Sequence, residues 1–86
     1  MEKVQNISKQ IDIRGRLGDE ALEELDKYLE NAILAGLDSV HIIHGKGTGA
    51  LRKVVRGYLR GHPYVKSIRD GHLEEGGQGI TVAELR

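Results

Sequence analysis

The chain has 86 residues, enough for one domain built round one small core. Thirteen acids balance thirteen Lys and Arg, and Cys, Trp and Phe are absent. Disulfides and thiolate metal sites are thereby excluded, and the core falls to Ile, Leu, Val and Ala. No apolar run nears the ~18–20 residues that cross a bilayer and no signal-peptide core opens the chain, so no membrane role and a cytoplasmic location are expected.

Residues 1–8 are polar and aperiodic and read as a linker, leaving 9–86 as the folded domain. Ile11-Asp12-Ile13-Arg14 alternates like a half-buried strand, with Ile11 and Ile13 inward and Asp12 and Arg14 outward together. Gly15 and Gly18 bracket a turn. Leu22, Leu25, Leu29, Ala32, Ile33 and Gly36 recur at helical spacing, with Asp19 as the expected N-cap and Gly36 as the stop. Val40 to His44 is a β-branched apolar run, expected to be a central strand covered on both faces. After a glycine-rich loop, Leu51, Val54, Val55, Tyr58 and Leu59 mark a second helix, ended near Gly61 and barred from continuing by Pro63. Tyr64 to Arg69 reads as a third strand, Gly71 to Gly79 as a long hairpin loop, and Ile80 to Ala83 as the last strand. The order β-α-β-α-β-β predicts an α/β, two-layer α+β sandwich with a mixed sheet.

Charge is segregated along this order. Gly18 to Asp38 carries Asp19, Glu20, Glu23, Glu24, Asp26, Glu30 and Asp38 against Lys27 alone. Ser39 to Arg69 carries Lys46, Arg52, Lys53, Arg56, Arg60, Lys66 and Arg69 and no acid. Either one side of the molecule is positive and attracts a polyanion, or the two helices lie together and neutralise each other. Arg52, Arg56 and Arg60 fall at i, i+4, i+8, one exposed stripe of the second helix.

The chemistry centres on His44-Gly45-Lys46-Gly47-Thr48-Gly49, which joins the end of a strand to the start of a helix. In open α/β sheets that edge binds ligands. Three alternating glycines let the backbone approach a ligand closely. The first amides of the helix have no internal partner and sit at its positive end. Together they form an anion site, to which Lys46 and Arg52 add charge and Thr48 a hydroxyl. The bland alternative is a turn that merely permits tight packing. The spacing Gly45-x-Gly47-x-x-Ala50, with Asp70 about twenty residues on, also fits a dinucleotide fingerprint, but the chain has room for about one of the two halves such a fold needs. A Walker A loop is excluded by spacing. The basic helix extends the positive surface beyond one phosphate, which favours a polymer.

Ile11-Asp12-Ile13-Arg14-Gly15, then His44 to Arg52, closed by Gly79-Ile80-Thr81-Val82, strongly resembles the Smr (small MutS-related) domain over about Ile11 to Leu85. Its ending looks most like the C-terminal domain of a bacterial MutS paralogue that has no mismatch-repair role. The resemblance implies a fold similar to the C-terminal domain of translation initiation factor three. It also implies a longer parent chain, binding to branched or structured DNA or RNA, and in many members a nicking endonuclease. Members are linked to suppressing recombination and to rescuing collided ribosomes, which makes the ribosome a further candidate partner. Many carry His where this chain has Arg14; the arginine removes one acid–base group.

Cleaving a phosphodiester needs a base or metal to activate the nucleophile, and cations to hold the developing charge. Asp12 is the candidate base or metal ligand and His44 the candidate acid or phosphate donor. Arg14, Lys46, Arg52 and Arg56 are the candidate clamp, with Gly45, Gly47, Thr48 and Gly49 supplying the cradle. Against these stand two structural roles: Asp12 capping the loop or pairing with Arg14, and His44 orienting the loop. A Mg²⁺ or Mn²⁺ ion shared between Asp12 and substrate phosphates is compatible with the pattern but not demanded by it. No two histidines have metal-ligand spacing on a helix face, and zinc is not expected. Tyr58 is assigned to the core; Tyr28 and Tyr64 are the aromatic rings available to stack on a base.

Overall fold

The computed structural model describes residues 7–86, so the expected linker falls, up to residue 6, outside the described residues. Alternation at Ile11 and Ile13 produces a short strand β1 (Gln10–Asp12), which Ile13 prolongs by donating its N–H to Ile43 O at 2.9 Å. The helical spacing produces α1 (Gly18–Leu34), and the remaining elements are β2 (Ser39–Ile43), α2 (Ala50–Arg60), β3 (Val65–Asp70) and β4 (Ile80–Leu85). The sheet order is β1-β2-β4-β3, with β1 parallel to β2 and the other pairs antiparallel. The expected α+β fold with a mixed sheet is what forms. Parallel pairing of β1 and β2 requires a crossover, which α1 provides.

The core explains the layering. Leu25, Leu29, Val40, Ile42, Val55 and Leu59 are fully buried in one cluster that also holds Ile13, Ala83 and Leu85. Each such aliphatic side chain contributes about 1.5–3 kcal/mol on burial. The cluster draws on both helices and on one face of the sheet. Coverage of β2 on both faces is therefore a correction. Val40 and Ile42 are sealed, while Ser39, His41 and Ile43 on the other face remain half-exposed. An antiparallel partner lets a strand be central in its sheet with helices on one side only.

Two local expectations also shift. The N-cap of α1 is Leu17, not Asp19: the helix starts two residues earlier, and the Glu20 carboxylate accepts the Leu17 N–H at 3.3 Å. Asp19 and Glu20 both lie in the first turn, where the helix dipole favours them. The stretch from Gly71 to Gly79 is shaped by two short 3-10 turns, Leu73–Glu75 and Gly77–Gly79. Within it Gly76 has φ +118°, and a Cβ there would meet the Ile80 side chain at 2.6 Å, so only glycine fits.

Candidate nucleic-acid interface

Parallel pairing aligns the ends of β1 and β2, so the two segments that follow them, 13–18 and 44–49, meet at one edge of the sheet. The contact between them is specific: an ideal Cβ on Gly45 would lie 3.4 Å from the Arg14 side-chain carbons. Arg14 thus lays its stem across the backbone of the glycine loop. Its guanidinium bonds both Asp12 oxygens, at 2.9 and 2.6 Å, and its own N–H donates to Asp12 Oδ1 at 3.0 Å. The Arg14 guanidinium holds the Asp12 carboxyl down at about 2. Both groups are exposed.

The glycine loop is pinned from the far end of the chain. Gly79 O accepts the N–H of His44 and of Gly45, at 3.1 and 2.9 Å. His44 is only 5% exposed. Its Nδ1 lies 2.8 Å from Gly45 O and its Nε2 2.8 Å from Thr81 Oγ1. A carbonyl only accepts, so Nδ1 carries the proton and Nε2 accepts from the Thr81 hydroxyl. Burial pushes the ring below the usual histidine range, with Arg52 and Arg56 adding to the shift, so it is neutral at pH 7.

Holding Gly45 O inward turns the opposite edge of that peptide, the Lys46 N–H, outward. The N–H groups of Lys46, Gly47, Thr48, Leu51 and Arg52 meet no acceptor among the described residues. Gly45, Gly47 and Gly49 take φ of +80°, +34° and +85°, the left-handed region that folds such amides into a nest. Thr48 Oγ1 accepts the Ala50 N–H at 3.3 Å from just ahead of α2, whose N-cap, Gly49, has no side chain to satisfy the next amides. Lys46 is exposed beside the nest.

The expected arginine stripe is not what the fold makes of α2. Arg52 and Arg56 both reach down to Asp70 on β3, at 2.8 and 2.7 Å. Arg56 is left 14% exposed, and Arg52 keeps one end towards the loop while its Nε is buried without a partner among the described residues. Arg60 stays exposed. The physical reason is the register: Asp70 pairs with Thr81 on the helix-covered face, directly below the first turns of α2. Arg56→Glu would therefore oppose Asp70 and unsettle the fold, and it is no clean probe of surface charge. The two helices do pack against each other, joined by Tyr58 and Asp26, but no ion pair links α1 to α2 among the described residues.

Asp12 and His44 do not converge. In register Asp12 lies beside Ile43, on the open face, and His44 alternates to the face under the helices. Of the two catalytic candidates, Asp12 is brought together with Arg14 of the clamp, whereas His44 belongs with Gly45, Thr81 and Gly79. No group of three or more His, Asp or Glu side chains able to hold a metal occurs among the described residues. Asp12 offers a single carboxylate already spanned by Arg14, a donor set that does not fit a resident ion. No helix there is long and apolar enough to cross a membrane. Tyr28 donates its hydroxyl to Ser8 O, and Tyr58 bonds Asp26; Tyr64 is exposed in a cavity lined by Asp26, Glu30, Leu34 and His62, with no residue of the glycine loop. None of the three stacks over the loop.

Sequence reasoning missed Thr81 and undervalued Gly79 and Asp70. Their signal is register, which no local pattern contains. It also missed Leu17, whose exposure follows from its place at the start of α1.

The sequence model described as "Smr domain" matches residues 11–86. The endonuclease MutS2 of Caldicellulosiruptor bescii is 57% identical over 84 residues, 98% of this chain and 11% of that one. That of Halalkalibacterium halodurans is 56% identical, over 94% of this chain and 10% of its own length. The chain thus spans about a tenth of the relatives it matches. Among solved structures, the Smr domain of Thermus thermophilus MutS2 aligns with a TM-score of 0.88 at 47% identity, covering 92% of this chain and 99% of that one. YdaL, a stand-alone small MutS-related protein from Escherichia coli, aligns at 0.87 with 24% identity, covering 91% and 64%, and shares the fold.

Proposed function

The chain belongs to the Smr domain family, and from that premise we propose that it is a nucleic-acid-binding, nuclease-type module. The glycine loop grips a backbone phosphate. The observation that carries this reading is the nest: five amides with no acceptor among the described residues, together with Lys46 and Arg52, share one cleft at the edge where two helices begin. Lys46 and Arg52 supply formal charge, and Arg14, lying across Gly45, supplies a third cation.

Nicking follows from an exchange at Arg14. In the free domain the guanidinium is spent on Asp12. An arriving phosphodiester competes for it with two oxygens of the same geometry. Once transferred, Arg14 stabilises the charge that develops on the non-bridging phosphoryl oxygens. The freed Asp12 carboxylate takes a proton from the attacking water, whose oxygen bonds phosphorus as the P–O bond to the leaving oxygen breaks, and the leaving oxygen is protonated from solvent. His44, with both nitrogens engaged and a neutral ring, serves by holding the loop; the geometry favours this over general acid. The named relatives are endonucleases, which supports the nuclease reading. Branched DNA, structured RNA and the ribosome are the candidate targets, within a longer parent chain.

The test has two arms. Binding to DNA or RNA should weaken with salt, with one unit of logarithmic slope for roughly each phosphate neutralised. A flat response would instead indicate a small nucleotide. Supercoiled plasmid, branched DNA and structured RNA are then incubated with the wild type, Asp12→Ala and His44→Ala. Asp12→Ala should abolish nicking while retaining binding. Nicking that survives Asp12→Ala would discard the Asp12 assignment, and nicking absent from the wild type with every divalent ion would leave a binding module.

A further inference from the structure

The cleft that holds the nest has a second wall that phosphate does not explain. It encloses about 430 Å³ and is lined on the far side by Gly15 to Gly18, and along α2 by Ala50, Leu51 and Val54. Leu17 is 68% exposed and Val54 36%. The two wall segments lie close together, since a Cβ added at Gly18 would come within 3.9 Å of a Val54 methyl. Leu34 and Leu73 are also exposed, but lie outside this cleft; what sets Leu17 and Val54 apart is that both line the cleft that holds the cationic nest. Helical periodicity uses Val54 as one of the apolar residues that mark α2; the fold leaves it lining the cleft.

We infer that Leu17 and Val54 form a sugar-and-base subsite, and that its occupant is one unpaired nucleotide whose phosphate sits on the nest. The inference deepens the reading of the loop as a phosphate grip and rests on it. A nucleotide has the same two-sided chemistry as the cleft: an anion joined to a flat, weakly polar body. The volume suits such a ligand, within the ~300–1,000 Å³ of small-molecule sites. The α1 side of the cleft does not compete for phosphate, because Asp19 and Glu20 neutralise the first turn there. A base stacked within a duplex cannot reach the wall, so the subsite selects nucleotides already out of the stack or cheaply removed from it.

The test uses a fluorescein-labelled single strand of about twelve nucleotides, within the ~4–16 typical of single-strand sites. A second strand of equal length and charge lacks its central bases. Anisotropy titrations compare the wild type, the double variant Leu17→Ser/Val54→Ser, and Leu73→Ser, which alters an exposed leucine outside the cleft. The wild type should bind the intact strand about tenfold more tightly than the abasic one. The double variant should lose that tenfold on the intact strand, lose nothing further on the abasic strand, and keep its salt slope. Leu73→Ser should change neither. Equal wild-type affinity for the two strands, or equal loss on both in the double variant, overturns the subsite and leaves the phosphate grip standing. Absence of any salt-dependent binding by the wild type sinks the grip, and the subsite with it.

Discussion

Two strand-to-helix turns leave the same edge of the sheet, and they are built to opposite electrostatic ends. The turn after β1 passes through Gly15, at φ +82°, and opens α1 with Asp19 and Glu20 in its first turn. The turn after β2 passes through three such glycines and opens α2 with no acid in its first turn. Both helices present unpaired amides and a positive end at the cleft. In α1 the chain's own carboxylates satisfy that end. In α2 it is left for an external anion, with Lys46, Arg14 and Arg52 around it. The lesson is that a helix N-terminus is a binding site only when the sequence declines to cap it with charge.

The comparison can be broken most severely at Gly45. A β-branched residue there must take φ near +80° with its Cβ against the Arg14 stem. Gly45→Val should cost about 1–3 kcal/mol of stability and abolish detectable nucleic-acid binding, read by thermal melts and filter binding. Gly15→Ala, at an open position with the same sign of φ, should cost stability with affinity reduced far less. If both variants lose binding equally, the second turn is not special.

A milder change converts one turn into the other. Ala50→Asp places a carboxylate in the first turn of α2, as Asp19 and Glu20 do in α1. It should stabilise the helix by about 0.3–1 kcal/mol while weakening nucleic-acid affinity about tenfold. Stability and affinity moving in the same direction would show that the end of α2 is not the anion site. Lys46→Ala, at an exposed position, should leave the melting temperature unchanged and reduce the salt slope by about one. An unaltered slope would place Lys46 outside the interface.

The smallest effect concerns pH. The buried ring of His44 titrates below its ordinary value, so the unfolded chain binds that proton more readily than the folded one. The stability is full above the unfolded value near 6.5 and is lost as pH falls through the lower, folded value. Denaturant melts from pH 8 to pH 5 should show stability declining below about 6.5, before the carboxylates titrate. Asp12, Asp70 and Glu75 are shifted down by their arginine and backbone partners, so their share is present above about pH 4 and lost only further into acid. Stability rising between pH 7 and pH 5 would contradict a neutral, hydrogen-bonded His44.

Periodicity and turn chemistry were enough to place both helices, all four strands and the mixed sheet, because spacing along the chain reports which face each element buries. The glycine loop was legible for a related reason: a nest needs consecutive residues that tolerate positive φ, a requirement written locally as Gly45, Gly47 and Gly49. Side-chain roles were less legible where they depended on a partner distant in sequence. Arg56 reads as an exposed cation until β3 brings Asp70 beneath it. His44 reads as free until β4 and the turn before it supply Thr81 and Gly79, more than thirty residues away. Its separation from Asp12 turns on a single step of strand register, which sends neighbouring residues to opposite faces.

From its sequence alone the chain determined its elements, the glycine nest, the segregation of acid from base, and the membership of its family. Only tertiary structure decided which cations stay free, which histidine nitrogen carries the proton, and which aliphatic side chains line the cleft. The reason is physical: backbone conformation answers to neighbours in the chain, whereas charge pairing, burial and tautomer answer to whatever residues the sheet register brings within a few ångströms.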